Sequence, residues 1–229
     1  MEVSSFYGGG GPREAPLYSQ REVSDFVGVP RATLGRWTRP SERAEVPCLV
    51  SSPEGAEGRL SFNNLVEVFV LDVFRKAEGV TLNSIRNAVW TAQQILGVER
   101  PLLDERIRVA SDVFWEDGDL VNLSRGGQLA LKKVLESYLN RIEYEPTTGL
   151  PSRLYPVVGG SSGGAMGWER AHVVIDPEIA FGQPTVKERG ISTRVIANRI
   201  DAGEEVSTVA VDYGIPVEAI EEAVVYERY

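Results

Sequence analysis

Apolar positions recur at helical spacing in several runs along the chain, separated by clusters of turn-forming residues. The first specific run spans Tyr18 to Trp37. Ser19 is a good N-cap, and Glu22 three residues later completes a capping box. Val23, Phe26 and Val27 fall at i, i+3 and i+4, one face of a helix. Gly28 takes positive φ at low cost and ends that helix. Val29 plugs the angle, and Pro30, lacking an N–H, suits the first turn of a second helix. Leu34 and Trp37 repeat at i+3 and face the first helix. Arg31, Thr33 and Arg36 are expected outward. The pattern is a helix-turn-helix, which offers a short helix to the DNA major groove. Arg donates a bidentate pair to guanine, and Thr bonds phosphate or base. The bland reading is a helical hairpin with solvated arginines.

Residues 1–16, with the glycine run Gly8–Gly11 and Pro12 and Pro16, are expected to be a disordered tail. Beyond Trp37, Cys48-Leu49-Val50 and Arg59-Leu60-Ser61-Phe62 read as strands around a Pro53–Gly58 turn, a hairpin or wing. Arg59, near its tip, is either a phosphate contact or a plain surface arginine. Ser61 or Asn63 caps a helix running to about Ala77, with Val66, Phe69, Val70 and Val73 as its apolar stripe. Another helix opens at Thr81, with Ile85, Ala88, Val89, Ala92 and Ile95 on one side. Residues 108–123 read as a hairpin turning at Asp117-Gly118. Leu129 to Ile142 reads as an amphipathic helix, and residues 142–158 hold two short strands. Trp115 and Tyr138 are read as aromatic core rather than a partner surface.

Gly159–Gly164 is a Gly/Ser linker. No helix start with a Lys-Ser/Thr pair follows it, so a phosphate loop is not expected. Val173–Ile175 and Thr185–Lys187 are strand candidates. Ser192 caps a helix carrying Val195, Ile196, Arg199 and Ile200, which ends near Gly203. Ser207–Tyr213 is a second helix, stopped by Gly214. Pro216 opens a third, with Val217, Ile220, Val224 and Val225 on its apolar side. The Gly214-Ile215-Pro216 turn again has helix-turn-helix character.

The predicted class is α+β, mainly helical: an N-terminal winged helix-turn-helix, a mixed α/β middle segment and a small C-terminal three-helix domain with short strands. The expected divisions are a tail over 1–16, a DNA-binding domain over 17–100, the middle segment over 101–158, a linker over 159–168 and the C-terminal domain over 169–229.

Composition narrows the chemistry. The chain has 229 residues, one Cys and one His, so an intrachain disulfide is impossible. A Cys/His zinc site is not expected, and Ser–His or Cys–His catalysis would have to use His172, which is read as an ordinary strand histidine. Adjacent acids at Asp117/Asp119 and Glu221/Glu222 are read as solvated charge, so an enzyme is not expected. No cofactor or metal is expected. No apolar run reaches membrane-spanning length and no signal peptide is evident, so a cytoplasmic location is the default.

The net charge of −9 opposes DNA binding only if it is uniform, and it is not. Arg13 to Arg43 carries six arginines against four acids, while Glu169 to Tyr229 carries twelve acids against six bases. Local field steers a nucleic acid. The acidic end instead suits a basic protein partner.

Helix, turn, helix, wing and two further helices, with the phrases Leu60-Ser61-Phe62-Asn63-Asn64-Leu65 and Gly79-Val80-Thr81-Leu82-Asn83-Ser84-Ile85, resemble the N-terminal domain of MerR-type regulators. The C-terminal part resembles the family filed as domain of unknown function 433. The phrases that carry this are Ile175-Asp176-Pro177-Glu178-Ile179, Gly182-Gln183-Pro184-Thr185-Val186, Gly190-Ile191-Ser192-Thr193, Ala202-Gly203-Glu204 and Asp212-Tyr213-Gly214-Ile215. Where that family usually has Gly-Thr-Arg-Ile-Pro, this chain has Arg189-Gly190-Ile191-Ser192-Thr193. The resemblance implies a VapB-type antitoxin. Such a protein binds and blocks a PIN-domain ribonuclease toxin and represses its own operon. Its implied partners are operator DNA, the toxin and a second copy of the chain, since operators are commonly read by symmetric dimers. In that setting Arg31, Thr33 and Arg36 contact DNA, with Arg59 supporting from the wing. The alternative is a MerR-like regulator without a toxin partner.

Overall fold

A computed structural model describes residues 11–39, 48–76, 82, 85, 86, 89, 93, 97, 99–104, 139–157 and 171–228. The fold is α+β, and it divides into two compact units, Met1–Pro151 and Ser152–Tyr229. The expected hairpin at 108–123, nearly all of the helix at 129–142 and the linker at 159–164 lie outside the described residues.

The first unit opens with α1 (Gly11–Glu14), α2 (Gln20–Val27), α3 (Arg31–Trp37) and α4 (Phe62–Lys76). A short 3-10 turn follows at Pro101–Leu103, and Leu139 still carries helical backbone. Between them, residues 82, 85, 86, 89 and 93 are helical, where the helix opening at Thr81 was expected. Strand β1 (Ile142–Tyr144) pairs with β2 (Pro151–Leu154) in a two-stranded sheet, and the division between units falls within β2.

Helix α4 is the centre of this unit. Its first turn is capped by Ser61, whose Oγ accepts from the Asn64 amide at 3.2 Å. Asn64 Oδ1 returns the bond to the Ser61 amide at 3.0 Å, a capping box with Asn in the reciprocal position. The expected stripe of Val66, Phe69, Val70 and Val73 is buried together with Phe62 and Leu65 beside it, but so are Val68 and Leu71 on the side facing away. A helix buried all round belongs inside a core.

The buried carboxylates on α4 are consequently paired, while Asn63 Oδ1 has no hydrogen-bond partner. Glu67, 4% exposed, accepts from Arg100 through both carboxylate oxygens, Nε–Oε1 at 2.9 Å and Nη2–Oε2 at 2.8 Å. Arg100 also reaches Glu14 at 3.2 Å. Burial disfavours the Arg100 charge, but the hydrogen bond and charge of Glu67, with those of Glu14, outweigh it and raise its pKa.

The tail expectation is corrected over 11–16. Gly11–Glu14 is a helical turn, Ala15 is buried, and Arg13 meets Glu145 at 2.7 Å. Glu14 also accepts from Asn63. These ion pairs and the buried Ala15 supply the fixation that composition alone did not indicate.

In the second unit, β3 (Val173–Val174), β4 (Thr185–Val186) and β5 (Ile191–Ser192) form an antiparallel sheet of order β3-β4-β5. Val173 faces Val186 and Thr185 faces Ser192. Strand β5 was not anticipated. Ser192 precedes α5 (Thr193–Asp201) but makes no side-chain cap bond, and α6 (Val206–Tyr213) and α7 (Val217–Arg228) follow. Val173, Val186, Ile196, Val209, Ile220 and Val224 close the core. The apolar side of α7 is corrected here: Ala219, Ile220, Ala223 and Val224 are buried, whereas Val217 and Val225 are 40% and 45% exposed. The two alanines let α7 approach its neighbours closely.

Arg199 ties α5 to α6. It donates to Glu204, reaches Asp212 at 2.6 Å and lies 5.0 Å from the Tyr213 ring centroid. Hydrogen bonding from Arg199 holds the Glu204 carboxyl below its ordinary range.

Candidate nucleic-acid interface

The basic face is built from α2 and α3. The Ser19 hydroxyl accepts from the Glu22 amide at 3.2 Å, and Glu22 Oε2 accepts from the Ser19 amide at 2.8 Å. These two bonds satisfy donors that a helix start otherwise leaves open. Tyr18, fully buried, holds the entry to the helix by an edge contact with Phe26, ring centroids 5.9 Å apart.

The turn is Gly28-Val29-Pro30. Gly28 sits at φ 68°, ψ 28°, and its amide returns to the Ser24 carbonyl. The Val29 amide does the same at 3.1 Å, while the buried Ser24 hydroxyl donates to the Val29 carbonyl at 2.5 Å. Ser24 therefore locks the turn from inside. Pro30 is the residue before α3, at φ −56° and ψ 134°, and its carbonyl accepts from the Thr33 and Leu34 amides. Val29, Leu34 and Trp37 are buried at the joint.

On the outer side Arg31, Ala32 and Arg36 are exposed, and Arg39 is exposed just beyond the helix. Thr33 is not on that face: it is 7% exposed. Thr33 and Trp37 are four residues apart, so one helix face carries both. Arg36 Nη2 lies 3.4 Å from Thr33 Oγ1, so Thr33 can steady Arg36 from below. Arg39 enters the candidate set in its place. Its signal in the sequence is a second basic residue three positions after Arg36.

The expected wing is also corrected. Residues 48–50 form no strand: the Leu49 and Val50 amides both bond the Trp37 carbonyl, at 2.9 and 3.1 Å, and so satisfy the end of α3. Leu60 pairs instead with Tyr18 in an isolated bridge. Arg59 is exposed but engaged, donating from Nε to the Pro16 carbonyl at 3.0 Å and from Nη2 to the Leu17 carbonyl at 2.6 Å. It clamps the segment entering α2, and both nitrogens have protein acceptors.

Cys48 Sγ lies 3.3 Å from Ser51 Oγ. His172 pairs with Glu188, while the Glu222 carboxylate accepts from the His172 and Val173 amides. Among the described residues no group of His, Cys, Asp or Glu side chains could hold a metal ion. No helix among them is long and apolar enough to cross a membrane.

Comparison with known proteins falls on both units. Residues 173–226 match a family model. It is described as "Protein of unknown function (DUF433)". Over nearly its whole length the chain is similar to a protein named "Putative antitoxin VapB45" from Mycobacterium tuberculosis (strain ATCC 25618 / H37Rv), at 28% identity, covering 92% of this chain and 93% of that protein. It is also 25% identical to the uncharacterized protein Rv2308 of the same strain, over 93% and 90% of the two chains. The crystal structure of Rv2018 from Mycobacterium tuberculosis superposes with TM-score 0.70 at 26% identity, covering 92% of this chain and 97% of that one. The similarity to the antitoxin-named protein thus spans both units.

Proposed function

We propose that this protein is a non-enzymatic, cytoplasmic antitoxin of a type II toxin-antitoxin system. It binds and neutralises a PIN-domain ribonuclease and represses its own operon as a homodimer on operator DNA. The observation that carries the antitoxin reading is the end-to-end similarity to a protein of that name. The DNA half rests on the α2–turn–α3 geometry and its exposed basic side.

In this reading α3 lies in the major groove as the reading helix of a MerR-like domain. Arg31 and Arg36 contact base edges or phosphates, and Arg39 extends the basic track. Thr33 acts by holding Arg36. Arg59 holds the entry to α2 and supports the interface through the backbone.

Two measurements test the two halves. A gel shift with the gene's own promoter is expected to show binding that the Arg31→Ala/Arg36→Ala variant loses by at least tenfold, while binding unchanged by both substitutions refutes the residue assignment. Co-expression with the product of a neighbouring PIN-domain reading frame is expected to yield a complex. Its absence favours the second reading, a MerR-like regulator without a toxin partner.

A further inference from the structure

The helix pair of the second unit repeats that of the first at its turn and at most core positions; the exception is buried Phe26, whose counterpart Asp212 is exposed. Gly28, Val29 and Pro30 correspond to Gly214, Ile215 and Pro216. Both glycines are left-handed, at φ 68° and 63°. Val29 and Ile215 are both buried, and their amides bond the carbonyls of Ser24 and Ala210, each at 3.1 Å. Both prolines accept the same pair of amides, Thr33 and Leu34 in one case, Ala219 and Ile220 in the other. Val23, Ser24, Thr33, Leu34 and Trp37 are buried, as are their counterparts Val209, Ala210, Ala219, Ile220 and Ala223.

The outward positions differ completely. Arg31, Ala32, Gly35, Arg36 and Arg39 of the first pair become Val217, Glu218, Glu221, Glu222 and Val225. Ser19–Trp37 holds three arginines and two acids, whereas Glu205–Ala223 holds five acids and no base. Glu222 is spent on the His172 and Val173 amides. Val217, Glu218, Glu221 and Val225 remain exposed within one arc of α7. Most of the large exposed apolar residues described lie in this unit, with Val211 at 80% exposure.

A face carrying Glu218 and Glu221 repels phosphate, so the second helix pair is not a second DNA reader. Two exposed valines flanking the acids provide apolar area beside charge, the make-up of a protein-binding surface. We propose that the face of α7 formed by Val217, Glu218, Glu221 and Val225 docks a protein partner whose surface sets basic groups between apolar positions. Resting on the function proposed above, that partner is the ribonuclease toxin, whose substrate groove must be basic to hold RNA. The two helix pairs share one frame and divide two tasks: the basic copy faces DNA and the acidic copy faces protein.

The test uses the full chain and the purified product of the neighbouring PIN-domain reading frame, with affinity measured by calorimetry at two salt concentrations. Glu218→Lys/Glu221→Lys is expected to weaken binding at least tenfold while leaving promoter binding within twofold. Val217→Ser/Val225→Ser is expected to weaken the same complex with little change in its salt dependence. All four positions are exposed, and circular dichroism checks that the variants fold. Toxin binding by both variants within twofold of wild type overturns the surface and leaves the antitoxin reading standing. No complex even with the wild-type chain overturns the toxin reading itself, and this docking assignment with it. Loss of promoter binding by the lysine variant, with toxin binding intact, also overturns the proposal.

Discussion

Replacing Arg100 by Ala is expected to be among the most damaging single changes outside the apolar core, for a reason that can be worked through. Glu67 projects from a helix buried on all sides, with its side chain only 6% exposed. Its carboxylate receives two parallel bonds from Arg100, at 2.9 and 2.8 Å, and one from Asn64 Nδ2 at 3.0 Å. Removing Arg100 leaves the charge in place with only the amide to compensate it. Breaking a buried pair in this way typically costs about 3–5 kcal/mol. The Arg100 side chain is 29% exposed, so water can reach part of the vacated site. That places the expected loss at the low end, about 3 kcal/mol.

Native-state hydrogen exchange at the α4 amides is the suitable assay, because it reports opening of this unit separately from the other. Glu67→Gln/Arg100→Met supplies the decisive comparison. It leaves no buried charge and is expected to cost less than Arg100→Ala alone. A loss below about 1 kcal/mol for Arg100→Ala, the value of an exposed pair, would refute the burial argument. So would a double variant at least as unstable as the single one.

Other expectations follow from single contacts. Ser19→Ala removes the capping box and is expected to cost about 1 kcal/mol in the stability of the first unit, measured by the same exchange method. Gly28→Ala and Gly214→Ala force a side chain into left-handed backbone, where the added carbon meets no other residue at Gly28 and only the end of the Arg189 side chain, at 3.5 Å, at Gly214, so each is expected to cost about 1–2 kcal/mol, confined to its own unit. A D-alanine at either position should remove the penalty, and a persistent loss would point to crowding instead. Glu204, with its carboxyl held below its ordinary range by Arg199, contributes stability that is fully present above the unfolded-state value and is lost as pH falls through the lower folded-state value. Thermal melts of wild type and Glu204→Gln should therefore differ at neutral pH and converge in acid; a gap that is constant across that range contradicts the pairing.

What the sequence made legible was local. The Ser19–Glu22 box and the stops at Gly28 and Gly214 each depend on residues within a turn of one another, and each is observed. The wing failed because pairing between distant segments leaves no local mark: nothing near Leu60 indicates that its backbone meets Tyr18 rather than residues 48–50. Arg59 was read as a tip residue of that hairpin, and so its two carbonyl acceptors were missed. Other misses had a signal that was available. Phe62, Leu65, Val68 and Leu71 repeat every third residue and carry the apolar pattern from the expected stripe round to the far side of α4, enough to mark a fully buried helix. Thr33 is four residues from the buried Trp37, which places it inward by helical geometry alone.

The two helix pairs also show why reading one of them for function requires separating its frame from its face. The frame is a left-handed glycine, a buried branched residue and a proline, followed by inward side chains at the positions of Thr33, Leu34 and Trp37. These fix the angle between helices whatever lies outside, because every bond and contact that sets it is turned inward. Hydrophobic periodicity reports only this frame, and less well for α7, where Val217 and Val225 share the apolar pattern yet are exposed. The face is free to vary, since an outward Arg or Glu costs the frame almost nothing. Charge at the outward positions, not the helix-turn-helix pattern, therefore discriminates a surface that can approach phosphate from one that cannot. In and just beyond α3 those positions hold arginine three times; in α7 they hold glutamate and valine. If frame alone governed binding, exchanging Arg31 and Arg36 for the residues at 217 and 222 would leave promoter affinity intact. The argument from the face requires that the Arg31→Val/Arg36→Glu variant lose it in a gel shift while retaining the wild-type melting profile.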